Sequence, residues 1–119
     1  MDRDPAALDR ARKLERDGAD TRIPTPAMFE LWRGVHLAAE SPPEAERVAN
    51  LLAAFPSAPF DATAAARAGE VDARLLREGA PIDPEDAMIA GIALALGDVV
   101  LTRNVRHFSR ITGLRVEGY

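Results

Sequence analysis

The stretch from Asp83 to Leu101 constrains this chain's fold more than any other part. Asp83 and Pro84 open a helix, and Met88, Ile89, Ile92, Ala93 and Leu96 cover more than one of its faces. A helix that is apolar nearly all round has to be buried. Gly97-Asp98 turns the chain into Val99-Val100-Leu101. That continuous apolar run is the pattern of a parallel strand covered on both faces. Helices alternating with such strands predict an α/β sandwich built on a parallel sheet.

The rest of the chain fits this alternation. Asp4 before Pro5 places an N-cap residue ahead of a proline at the first helical position, and Ala6 to Asp17 reads as a charged surface helix closed by Gly18. Thr21 to Pro24 is a short strand, and Thr25-Pro26 opens a helix running to about Ala39. Ser41, Pro42 and Pro43 stop one helix and start another that carries Val48, Leu51 and Leu52 at helical spacing. Phe55 to Phe60 reads as a weak strand, followed by a long helix capped by Asp61 and reaching Arg77. Beyond the apolar strand, Thr102 to Ile111 is helical or irregular, and Leu114 to Val116 forms a last strand. There is no internal repeat. Pro42-Pro43 and Gly79-Ala-Pro81 punctuate the chain without dividing it, so residues 1–119 are expected to form a single domain.

Composition removes several classes of function. Hydrophobic residues make up 47% of the chain but aromatics only 5%, so the core must be mostly Ala, Val, Leu and Ile. The formal charge of −4 gives no bulk basic field, and contact with nucleic acid would need a local patch. With no cysteine there is neither a disulfide nor a thiolate zinc site, and two histidines cannot build a His-rich metal site. The longest apolar run, around Ala87 to Leu96, is too short to span a bilayer. Met1-Asp-Arg-Asp has no apolar core and is no signal peptide. A soluble cytoplasmic protein is expected.

Ligands of open parallel sheets sit beyond the carboxyl ends of the strands. Three segments place polar groups there: Glu30 early in the helix after the first strand, Asp86 in the first turn of the buried helix, and Thr102 with Asn104 directly after the apolar strand. Carboxylates gathered in one cleft would bind a hard divalent cation, Mg²⁺ or Mn²⁺, through oxygen. Such ions stabilise phosphodiester transition states and activate water. The chain has no glycine-rich phosphate loop, which argues against an NTPase or another nucleotide-binding domain.

Each of these residues also has a plainer explanation. Glu30 can pair with Arg33 on a solvent face. Asp86 follows Asp83 by three residues and can simply complete a helix cap. Asn104 or Thr102 can cap the short helix that follows. His107, before Phe108, reads as a partly buried packing histidine, and His36 lies on the polar side of its helix. Arg103, Arg106 and Arg110 recur at helical spacing and either contact phosphates or form an exposed basic face.

Three segments together resemble the C-terminal signature of PIN domains of the VapC toxin type. They are Gly79-Ala-Pro-Ile-Asp-Pro-Glu-Asp-Ala-Met-Ile-Ala-Gly-Ile-Ala, Val100-Leu-Thr-Arg-Asn-Val-Arg-His-Phe and Gly113-Leu-Arg-Val-Glu. Met28-Phe-Glu-Leu-Trp-Arg-Gly is similar to the same family's Glu-Leu-x-x-Gly helix, and order and spacing agree over nearly the whole chain. The resemblance implies a three-layer α/β/α fold and a Mg²⁺- or Mn²⁺-dependent endoribonuclease. Glu30 and Asp86 match family acids, Asn104 matches a position holding Asp or Asn, and Thr102 matches a polar residue beside the metals. It also implies an RNA substrate, a homodimer and a small antitoxin partner.

The start departs from the family pattern. Family members begin with a hydrophobic strand, central in the sheet, that ends in Asp. Here Met1-Asp-Arg-Asp-Pro-Ala-Ala-Leu resembles the stretch after it, and neither Asp2 nor Asp4 follows an apolar strand. The expectation is a PIN-like domain lacking that strand and weak or inactive as residues 1–119. The competing expectation is a catalytically impaired PIN-like module that only binds an antitoxin.

Overall fold

A computed structural model describes residues 22–38, 42–102 and 105–118, with Leu101 and Thr102 described by backbone alone. The helix expected over Ala6 to Asp17 lies outside the described residues. The chain divides into two compact units, Met1–Ala58 and Pro59–Tyr119.

The first unit holds β1 (Ile23–Pro24), α1 (Thr25–Leu37), α2 (Pro42–Ala54) and β2 (Ser57–Ala58). β1 leads straight into α1, and Pro26 occupies the first turn, where a missing N–H costs nothing. Ala27, Leu31 and Val35 recur every fourth residue and form the buried stripe of α1. Leu31 and Val35 pack on Val48 with Ala45, Leu51 and Leu52, while Ile23 and Ala27 pack on Phe55. Burying a Leu or Val side chain is worth about 1.5–3 kcal/mol, so this stripe fixes the rotation of α1 about its axis. β1 and β2 pair in parallel, with Ile23 opposite Ser57 and Pro24 opposite Ala58.

The second unit holds α3 (Ala62–Arg77), α4 (Pro84–Leu96), β3 (Val99–Thr102), α5 (Val105–Phe108) and β4 (Arg115–Gly118). Asp61 caps α3: its Oδ1 accepts the Ala64 N–H at 3.0 Å. The helix ends in a Schellman turn. Ala80 N–H donates to Leu75 O at 2.9 Å, Gly79 N–H to Leu76 O at 3.1 Å, and Gly79 takes a φ of 73° that favours glycine. Val71 and Leu75 of α3, Ala90 and Ala93 of α4, Val100, Phe108 and Ile111 form one core.

α3 and α4 meet at backbone range. A Cβ built on Gly91 would lie 2.4 Å from Ala64 O and 2.7 Å from Ala68 Cβ. Alanine and glycine along this seam are what allow so close an approach. α4 is buried on more than one face, as its composition predicts: Ala87, Ala90, Gly91, Ile92 and Ala93 are all buried.

β3 and β4 pair in parallel, Val99 opposite Arg115 and Thr102 opposite Gly118. One detail differs from expectation. Val100 is buried, but Val99 is 41% exposed. Successive strand side chains point to opposite faces; Val100 packs in the unit's core, and Val99 on the other face is exposed. Among the described residues β1 pairs with β2 and β3 with β4, giving two two-stranded sheets.

Candidate active site

Glu30 is the sixth residue of α1 and stands one place before the buried Leu31. At 100° per residue it falls on the flank of the buried stripe rather than opposite it. It is half-buried, whereas Phe29, Arg33 and His36 are exposed. The solvent-face explanation for Glu30 therefore describes its neighbours better than it describes Glu30 itself.

Asp86 is the third residue of α4 and is half-buried. Asp83 occupies the N-cap position with extended backbone, and its carbonyl accepts the Ala87 N–H at 3.0 Å, but its side chain makes no cap bond. A carboxylate in the first turn of a helix interacts favourably with the helix dipole. The chain entering this helix is tightly held. The Schellman turn fixes Ala80, and Ile82 packs against the core of the unit.

Thr102 ends β3. Helix α4 runs into the Gly97-Asp98 turn and β3 runs out of it, and Ala93 and Val100 share a core. The N-terminal end of α4 and the carboxyl end of β3 are thus the ends remote from that turn. Asp86 lies in the first turn of α4 and Thr102 is the last residue of β3. Asn104 and Arg103 lie outside the described residues.

Among the described residues no three His, Asp or Glu side chains gather as a metal cluster. Glu30 and Asp86 each carry carboxylate oxygens, the donor type that a hard oxygen-seeking cation prefers.

Of the three arginines at helical spacing, Arg103 lies outside the described residues and Arg110 has main-chain partners. The Arg110 guanidinium donates to Ala80 O at 3.1 Å and to His107 O at 3.3 Å. Arg115, which sequence reasoning passed over, donates to Gly97 O. Arg106 is exposed. His107 is exposed as well, not the packing residue expected, and the buried residue of that short helix is its neighbour Phe108.

Two compact parallel-strand units, with an acid early in α1 and another at the N-terminus of α4, describe an α/β protein with candidate metal-binding acids. Residues 1–114 match the PIN domain model. The chain belongs to the PIN-domain family. It is 45% identical over 60 residues to the tRNA(fMet)-specific endonuclease VapC of Shigella flexneri, a match covering 50% of this chain and 46% of that one. The chain thus spans about half the length of the curated relatives it matches. Its fold is similar to that of DNA-bound VapBC from Salmonella typhimurium, at TM-score 0.83 and 32% identity over 93% of this chain and 83% of that one. It is also similar to VapBC2 from Rickettsia felis bound to a promoter DNA fragment, at TM-score 0.87 and 22% identity over 98% and 86%. No helix among the described residues is long and apolar enough to cross a membrane.

Proposed function

We propose that this chain is a VapC-type toxin: a Mg²⁺- or Mn²⁺-dependent endoribonuclease that acts in the cytoplasm, dimerises and is held inactive by a small antitoxin. The observation that carries this is the 45% identity to an endonuclease VapC. The similarity to VapBC at 32% identity supports the antitoxin partner.

In this proposal residues 1–119 form one PIN-like domain. Glu30 and Asp86 act as charged oxygen ligands, Asn104 as a neutral one, and Thr102 as a polar residue beside the ion. A divalent ion, when bound, supplies charge stabilisation at the phosphodiester and a more acidic water. The overall change is addition of water across one P–O bond of RNA, with the leaving oxygen taking a proton.

Neither Asp2 nor Asp4 follows an apolar run in the sequence. Ligand charge tunes the binding of hard cations, so residues 1–119 alone should cleave weakly or undetectably. The test is a fluorogenic RNA assay in Mn²⁺ on residues 1–119 and on a chain extended upstream by a strand ending in Asp, each with Asp86→Asn. Cleavage recovered by extension and abolished by Asp86→Asn is expected. Robust Asp86-dependent cleavage by residues 1–119 would show the first-strand acid dispensable. Failure of the extended chain to cut any RNA while still binding an antitoxin would favour the binding-module reading.

A further inference from the structure

The helix that carries Asp86 is held at both ends by arginines from the segment that follows β3. At its entrance, Ala80 is fixed twice: its N–H by Leu75 O at 2.9 Å and its C=O by Arg110 Nη1 at 3.1 Å. Arg110 Nε also reaches His107 O at 3.3 Å, so one guanidinium ties the turn before α4 to the end of α5. At the exit, Gly97 closes α4 with a φ of 71°, and Gly97 and Asp98 both donate to Ala93 O. The Gly97 carbonyl is then taken by Arg115, which opens β4 opposite Val99. A planar guanidinium with several donors in fixed directions suits this bridging, and a lysine does not reproduce it.

We infer that Arg110 and Arg115 are positioning residues that clamp the two turns flanking α4, and with them Asp86, and are not contacts to RNA phosphates. The inference deepens the proposed nuclease function and rests on it for the role of Asp86. The geometry of the clamp stands independently. The donors engaged on main-chain carbonyls hold each guanidinium at its turn, and whether the remaining N–H groups also meet a phosphate is read by the salt dependence of RNA binding. At the entrance, Ala80 and Pro81 have no side-chain donor of their own to take the Ala80 carbonyl.

The experiment uses the whole chain with Arg110→Ala, Arg110→Lys, Arg115→Ala, Asp86→Asn and, as a control, Ile111→Val, which trims the same core. Three quantities are read: amide exchange of the turns at 79–83 and 97–99, Mn²⁺ affinity by calorimetry, and the salt dependence of binding to a single-stranded RNA. Each Arg→Ala variant should raise exchange several-fold in the turn it holds and weaken Mn²⁺ binding, with no change in salt slope. Arg110→Lys should recover only part of the protection. Ile111→Val should lower Tm without moving Mn²⁺ affinity. A salt slope reduced by about 0.7, the share of one phosphate contact on a single strand, would overturn the clamp for that arginine, as would unchanged exchange. Mn²⁺ binding indifferent to Asp86→Asn would instead overturn the metal role of Asp86 and leave the exchange result to decide the clamp.

Discussion

Single residues in this chain divide into those that stand out in the sequence and those whose contacts appear only in the third dimension. Asp86 belongs to the first group. An acid at the head of an apolar helix is conspicuous in a string of letters, and the structure keeps it half-buried in the first turn. Arg110 belongs to the second. Its spacing from Arg106 and Arg103 suggested a basic face, and only the fold brings Ala80, thirty residues earlier, to its guanidinium. Glycines make the same point in energetic terms. Gly69 and Gly91 both lie inside helices, but a Cβ on Gly69 meets nothing within 4 Å, whereas one on Gly91 meets the α3 backbone. Gly69→Ala should therefore raise stability by about 0.5–1 kcal/mol through helix propensity. Gly91→Val should lower it by about 1–3 kcal/mol through overpacking. Urea unfolding of the two variants checks the opposite signs, and equal effects would mean that the α3–α4 seam is looser than described.

At the scale of elements, local signals carried most of the boundaries. Proline at the head of α1, α2 and α4, Asp61 before α3 and Gly97 after α4 all mark where the chain changes conformation. These are short-range effects, so a sequence displays them. The strands were less legible. β1 and β2 have only two residues each and exist through their pairing with one another, which no local propensity encodes. β3 was expected to be covered on both faces from its run of valines, but coverage depends on which elements surround it, and Val99 stands exposed. The two aspartates at helix starts give a test of how far local signals can be trusted. Asp61 makes a side-chain cap bond and Asp83 makes none. Asp61→Ala should cost about 1 kcal/mol, the usual loss of a cap. Asp83→Ala should cost less, because only the interaction of its charge with the helix dipole is removed, about 0.3–1 kcal/mol and weaker in salt. Thermal melts at low and high salt separate the two: the Asp61 loss persists in salt and the Asp83 loss fades.

For the whole molecule the decisive issue is whether its acids act on one ion. Glu30 lies in the first compact unit and Asp86 in the second. The shared role proposed for them rests on the family resemblance and not on any local pattern, which is why the sequence names the candidates but not their arrangement. Thermodynamic coupling tests that role without reference to coordinates. An ion that binds the folded chain stabilises it by mass action, by about 2.7 kcal/mol when its concentration is roughly a hundredfold above its dissociation constant. Mn²⁺ should therefore raise Tm by several degrees, and either Glu30→Gln or Asp86→Asn should remove most of that shift. If both acids hold the same ion, the double variant should lose little more than either single one, because the first substitution already abolishes the binding that the second would weaken. Additive losses would mean two independent ions, one per acid. No shift with Mn²⁺ in the wild-type chain, together with a shift in a chain extended upstream by a strand ending in Asp, would place the missing charge in that strand. Absence of a shift in both would count against a metal-dependent nuclease.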